Sequence, residues 1–500
     1  MKRVFLVFLC FLLLGCASER KLISRSDKSS QKTASSQRLN QLFHDYFEEI
    51  LRLYPGYATF IGDHRYDDQF ANTISEKHRL RREVLFTQYL GALSKLPKGT
   101  LNGQDRLNYD LFKRRLKMAL EGMKFSSHLI PVRQIGSTPL RFPLLGSGRG
   151  IHPFKTVKDY DNFLSRMKGF QVWVDTAMAN MLKGVKLGVV QPRIIMKKTL
   201  PQLDAMIVSD VKKSIFYQPI IQMPASFDEI ERARLTRDYK QAIEQRIIPT
   251  YKKLHAFIKD EYLPKCRSAV GLSAIPGGRK WYAHLVKVHT TTDMSPDEIF
   301  QIGVNEVERI KKEMEKLRDK IGFRGSLVEF SKHLAKNTQS YTTKDNLVKA
   351  YKQLRGKIAP ELAKLFGRLP KAPYEIRPVE EFRENSASSQ YWAATPDGSR
   401  PGIFYVNAGG VNKKPAHSLE WLFLHEAMPG HHFQISLQRE QSGLPKFRRF
   451  GRYTAYSEGW GLYAESLGRK LGFYTDSFQY FRRLEAEMWR ARRLVVDVGL

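Results

Sequence analysis

The stretch His425-Glu426-Ala427-Met428-Pro429-Gly430-His431-His432 gathers three of the chain's 13 histidines into eight residues and sets a glutamate directly after the first. Imidazole and carboxylate are the donors of a catalytic zinc site, and a glutamate beside a ligating histidine is placed to serve as general base. In the H-E-x-x-H arrangement the second histidine follows one helical turn later. Here that position is Pro429. On a regular helix His431 points about 120° away from His425, and His432 aligns with it but lies roughly 10 Å further along the axis. Nitrogens that each sit about 2.0–2.1 Å from one zinc ion cannot be so far apart. The pattern holds a metal only if the helix bulges at Met428-Pro429-Gly430 and returns one later histidine to His425. Pro429 cannot donate to the carbonyl of His425, and Gly430 tolerates unusual dihedrals. The plainer reading ends the helix at Met428 and leaves His431 and His432 to cap a second helix.

A third ligand is available downstream, in Tyr456-Ser457-Glu458-Gly459-Trp460-Gly461-Leu462-Tyr463-Ala464-Glu465. Glu458 and Glu465 are seven residues apart and share a helix face. An antiparallel helix would deliver Glu458 to complete a His-His-Glu set with a fourth position left for water. Glu465 would then hydrogen-bond a ligating imidazole. Glu426 would accept the proton of that water, and Tyr463, Tyr456 or a residue beyond Leu500 would steady the oxyanion. Upstream, Arg400-Pro401-Gly402-Ile403-Phe404-Tyr405-Val406-Asn407 reads as a lone edge strand. Such an edge can extend a substrate backbone as an added strand, with Arg400 and Asn407 fixing a peptide carbonyl or terminal carboxylate. A short strand with a purely structural role beside the site is the other reading.

These motifs carry a resemblance. Arg400–Asn407 (R-P-G-x-F-x-V-N), His425–His432 (H-E-A-x-P-G-H-H), Glu458–Glu465 (E-G-W-x-L-Y-x-E) and Arg490–Asp497 (R-A-x-R-L-V-V-D) together resemble the bacterial family described as domain of unknown function 885. The likeness extends over about residues 39–500. It implies a mainly α, helical zinc-metallopeptidase-like (gluzincin-like) body with a small β element near 403–406. It also implies one Zn2+ per chain and a secreted or lipid-anchored setting. Similarity to helical metallopeptidases in which a Gly-His pair follows a variable insert makes His431 the second ligand, with His432 as the alternative. Family members continue for roughly a hundred residues past the last motif, so the C-terminal part of the 39–500 domain is expected to be missing after Leu500.

The elements that must position these groups read as helix after helix. Periodicity of apolar residues predicts helices from Leu39 to Pro55, and near 77–96, 105–122, 158–184, 227–260, 295–321 and 343–366. Ser295-Pro296-Asp297-Glu298 is a capping box with proline at the first helical position. The stripe Phe300, Gly303, Val307, Ile310, Met314, Leu317, Ile321 that follows reads as ordinary core.

Residues 1–16 read as a lipoprotein signal peptide. Lys2 and Arg3 precede a twelve-residue apolar run, Val4 to Gly15, too short to span a bilayer. It ends at Leu13-Leu14-Gly15-Cys16, a lipobox in which Cys16 is acylated; Ala17 in place of Asp sorts the protein to an outer membrane, facing the periplasm. Residues 17–38, with seven serines, read as a disordered basic tether. Cys266 is then the one remaining thiol and reads as a small buried residue. Lys and Arg (83) exceed Asp and Glu (50) by 33, which favours acidic partners. Nucleic acid is set aside, because no recognition motif accompanies the charge and the signal exports the chain. The expected function is a zinc-dependent hydrolase, a metallopeptidase of exopeptidase or oligopeptidase type acting on short peptides. The alternatives are a non-catalytic periplasmic binding or scaffold protein, and a zinc hydrolase of another amide or ester.

Overall fold

The structure is a computed structural model that describes residues 34–336, 340–413 and 419–500. The signal segment and Cys16 lie outside the described residues. The tether ends sooner than its composition implied: residues 34–53 form one helix, α1, that begins before Arg38. Ser35 is buried there and accepts a hydrogen bond from the Thr100 hydroxyl (2.8 Å), so packing overrides the polar composition. No helix among the described residues is long and apolar enough to cross a membrane.

The chain is mainly helical. Pro55–Phe60 (α2), Glu76–Ser94 (α3) and Gly103–Gly122 (α4) pack with α1 around Leu39, Phe43, Tyr46, Phe86, Phe112 and Leu116. Val157–Lys186 (α5) crosses a long helical run, Glu229 to Tyr262, whose two wide turns at 243–247 and 257–262 break the continuous helix read over 227–260. Pro249 and Pro264 follow those turns and cannot donate to them. This second core holds Phe163, Phe170, Trp173, Leu235 and Tyr251, with Cys266 buried at its edge as a free thiol. A third pair, Pro296–Lys320 (α6) and a C-terminal helix Ser477–Gly499, buries Gly303, Ile310, Met314 and Leu317 as the apolar stripe predicts. The capping box of Ser295 and Glu298 is present. Gly303 permits the crossing, because a Cβ there would stand 2.9 Å from Val495 and 3.0 Å from Leu494. Phe300 is the exception and stays 38% exposed.

A small sheet interrupts the helices. β1 (Tyr374–Pro378) runs parallel to β3 (Gly402–Val406), and β2 (Gln390–Trp392) pairs with β3 antiparallel, giving the order β1-β3-β2. The strand expected to be a lone edge is therefore the centre of the sheet, and all five of its residues are buried. Its unbroken apolar run is what a strand covered on both faces requires. The helix Lys344–Leu365 (α7) packs Leu347, Tyr351, Ile358 and Leu362 with Ile376 and Phe404 of this sheet.

One long-range anchor joins the first layer to the last third of the chain. Phe447 inserts among the α1 and α4 side chains, with ring centroids 4.7 Å from Phe43 and 5.1 Å from Phe112. Beside it the Tyr57 hydroxyl donates to the carbonyl of Phe450 (2.9 Å), and Arg448 donates to the Asn108 side chain (2.9 Å).

Candidate metal centre

Leu419–Glu426 (α8) brings the apolar run Trp421-Leu422-Phe423-Leu424 against the sheet and ends on the His-Glu pair. His431–Glu440 (α9) starts five residues later. The break has a local cause. Pro429 has no N–H for the carbonyl of His425, and the chain doubles back so tightly that a Cβ on Gly430 would lie 1.9 Å from that carbonyl oxygen and 2.3 Å from that of Leu424. Gly430 is required here for close backbone approach. The outcome combines both sequence readings: the helix does end, and the second helix begins with His431 returned to His425, ring centroids 4.6 Å apart.

Thr454–Ser466 (α10) lies across both helices. The indole N–H of Trp460 donates to the carbonyl of Pro429 (2.7 Å), and its ring stacks on Phe433 of α9. Gly461 sits directly on His425; a Cβ would be 2.6 Å from its Cε1. With α10 this close, Glu458 Oε2 comes within 3.7 Å of His425 Nε2 and 3.5 Å of His431 Nε2. Donor atoms of His425, His431 and Glu458 all lie within 4.8 Å of one another.

The surrounding hydrogen bonds fix these groups. His425 Nδ1–H donates to Glu465 Oε1 (2.7 Å), which leaves Nε2 facing Glu458. Glu465 is buried and is held in turn by Arg490 Nη2 (2.6 Å), from the C-terminal helix Ser477–Gly499 (α11), whose guanidinium lies over Trp421. Glu458 divides its oxygens: Oε2 faces the imidazoles and Oε1 takes an ion pair from Arg452. Burial alone would lower the pKa of His425, but Glu458 and Glu465 outweigh it and pull it up to about 9. Hydrogen bonds from His425 and His431 hold Glu458 well below the usual carboxylate range. Glu426, the neighbour of His425, is buried; burial pushes its carboxyl above the usual range, against the pull of His425 and His431 and of the Tyr391 backbone N–H.

Several expected site residues lie elsewhere. His432 is no ligand: its Nδ1 meets the Tyr391 hydroxyl (2.9 Å), its ring packs on Tyr374, and burial keeps it neutral with a pKa near 3. Tyr456 and Tyr463 sit about 160° and 140° around α10 from Glu458 and are 58% and 52% exposed, so that helix turns them away from the triad. Asn407 closes the loop before β2, donating to the carbonyls of Glu384 (2.7 Å) and Ala387 (2.5 Å). Arg400 donates to the carbonyl of Phe60 (2.9 Å). Gly461, Trp460, Arg452, Tyr391 and Arg490 were missed. Gly461 carried a signal, since it lies one turn after Glu458 on the same face and has no side chain to hold a partner helix away.

Three helices, a break between the first two and a glutamate from the third thus define a mainly helical protein in which two buried histidines meet a half-exposed glutamate. The chain belongs to the family described as bacterial protein of unknown function (DUF885), whose profile matches residues 55–500. None of the curated proteins matches it. Among solved structures it is similar to one described as "the putative lipoprotein from Colwellia psychrerythraea", at 23% identity and a TM-score of 0.85 over 93% of this chain and 83% of that one. It is also similar to "a putative lipoprotein of unknown function from Shewanella oneidensis", at 15% identity and a TM-score of 0.63 over 92% and 82%. At those identities the likeness is one of fold.

Proposed function

We propose that this protein is a zinc-dependent hydrolase, a metallopeptidase acting on short peptides at the bacterial cell envelope. The observation that carries the reading is the donor set His425, His431 and Glu458. Donors sharing one tetrahedral zinc at about 2.0–2.2 Å stand roughly 3.3 Å apart, and both imidazoles approach Glu458 Oε2 at 3.5–3.7 Å. The residues fit the metal. Zinc held there would supply Lewis acidity and a water acidic enough to lose its proton near neutral pH. Glu465 fixes the tautomer of His425 and Arg452 steadies Glu458. Glu426, buried and proton-hungry, accepts the proton of the attacking water and passes it to the leaving amine.

Lipid anchorage through Cys16, with an outer-membrane place facing the periplasm, belongs to the same reading, and the two lipoprotein neighbours support it. Replacing Cys16 by Ser releases the protein from membranes if this is right; unchanged retention counts against it. For the chemistry, purified protein is expected to hold about one zinc per chain, lost in His425→Ala. Glu426→Gln should keep the zinc and lower peptide turnover at least about a hundredfold. Wild-type turnover in that zinc-loaded variant would remove Glu426 as the base. A protein that refuses zinc yet keeps its fold would favour the binding-protein alternative.

A further inference from the structure

Two arginines, Arg400 and Arg439, converge on Phe60 without an ion-pair partner among the described residues. The Cζ atoms of Arg400 and Arg439 lie 5.9 and 5.8 Å from the centroid of one ring, Phe60 of α2. Their hydrogen bonds go to backbone carbonyls: Arg400 to Phe60 (2.9 Å) and Arg439 to Ala394 (2.5 Å). Neither forms an ion pair among the described residues. The Nη1 of Arg400 is sealed from solvent and has no hydrogen-bond partner there. The charge of Asp397 acts on Arg400 from beyond ion-pair distance, and its Oδ1 accepts from the backbone N–H and hydroxyl of Ser399.

Partly burying two like charges with no ion pair to either is costly for a fold. Burial weakens the protonation of both arginines, and the charge of Arg400 works further against Arg439. Tyr391 links them to the chemistry. It stands within the electrostatic reach of both guanidiniums, its hydroxyl meets His432, and its backbone N–H meets Glu426. An anion seated beside Tyr391 would meet paired donors suited to the planar fork of a carboxylate, within one residue of the proposed base.

We propose that Arg400 and Arg439 form a carboxylate-binding subsite, so that the ligand of this protein carries a free carboxylate, as a peptide C-terminus or an acidic side chain. That the carboxylate belongs to a peptide rests on the hydrolase reading; the subsite itself does not. Two measurements on the full chain separate them. In the first, succinate is added to metal-free protein at ionic strength matched with sodium chloride, with neutral succinamide as control. At ten times its Kd, succinate should raise the melting temperature by about 1–2 °C over both controls. The rise should vanish in Arg400→Met and Arg439→Met and partly survive in Arg439→Lys. Each variant is compared with itself, so a change in its basal stability does not obscure the result. In the second, a short peptide with a free C-terminus should be cleaved at least about tenfold faster, as kcat/KM, than its C-terminal amide, and Arg439→Met should abolish the preference. Protection by succinate without peptide cleavage keeps the subsite and discards the peptidase. Cleavage indifferent to amidation, with no protection by succinate, overturns the subsite and keeps the peptidase. Methionine variants that retain the succinate response also overturn it, and leave the arginines as packing.

Discussion

Two glycines of α10 make opposite predictions from the same substitution. Gly459 has nothing within 4 Å of where a Cβ would stand, whereas Gly461 would place one 2.6 Å from Cε1 and 2.8 Å from Nδ1 of His425. Both are inside the helix Thr454–Ser466, where alanine is favoured over glycine by about 1 kcal/mol. Gly459→Ala should therefore gain about 1 kcal/mol, roughly 1 °C in a chain of this length, with zinc affinity unchanged. In Gly461→Ala the imidazole must retreat about 0.8 Å to reach ordinary contact near 3.4 Å. Retreat would also stretch the bond from that same Nδ1 to Glu465 (2.7 Å), which sits one turn further along α10. Overpacking of this kind costs about 1–3 kcal/mol, so the helix gain is cancelled or reversed. A ligand displaced by that distance should bind zinc about 10–100-fold more weakly, the scale seen when the support of a ligating histidine is lost. The assay is calorimetric melting of both variants, together with zinc competition against a chromogenic chelator. Equal stabilisation in the two variants, or wild-type zinc affinity in Gly461→Ala, would refute the contact between α10 and His425 as the device that sets the site.

Glu465→Gln should lower zinc affinity by about 10–100-fold with little change in fold, checked by the same competition. Arg166 is buried against Asp67 and also donates to Thr59 and His152, so Arg166→Met should cost about 3–5 kcal/mol in denaturant unfolding; a loss below 1 kcal/mol would be inconsistent with that network. His152 accepts from Arg166 at Nδ1 and donates from Nε2 to the Asp159 carbonyl, and burial, aided by Arg166, holds its pKa down to about 4. The unfolded chain takes up that proton near pH 6.5, so stability is full above that value and falls by up to about 3 kcal/mol as pH drops to 4. His152→Gln should flatten that slope, and an unchanged slope would exclude His152 as its source.

The helices and the His-Glu pair were legible for the same reason: both are written locally. The α6 stripe and the Ser295 cap need only neighbours three and four residues away, and the His-Glu pair needs only its own turn. The centre of the sheet was not, because β3 is flanked by segments about ten and twenty-five residues upstream, and no residue in 402–406 records which side is covered. Its five consecutive apolar residues were a hint, since an edge strand would alternate. Tyr456 and Tyr463 were chosen by residue type, and the rotation per residue along α10 already turned them from Glu458. Arg439 and Tyr391 had no sequence signal at all. They meet Arg400 only because α9 and β2 converge on the same ring of Phe60.

The Phe447 anchor sets when the protein can first exist as a working object. Its pocket is built by Phe43 and Phe112, and the bonds beside it join residues separated by 340 to 393 positions in the chain. Contacts of such span are closed late and slowly, after local helices have formed. A chain crossing a membrane from its N-terminus would deliver the first layer long before the segment that completes it. Until that segment arrives, the apolar slot of α1 and α4 stays open and α10 lacks the footing that precedes it. On the proposed reading, metal capture would then be the last event of maturation, and a partly emerged chain would have no means to take up zinc in the wrong compartment.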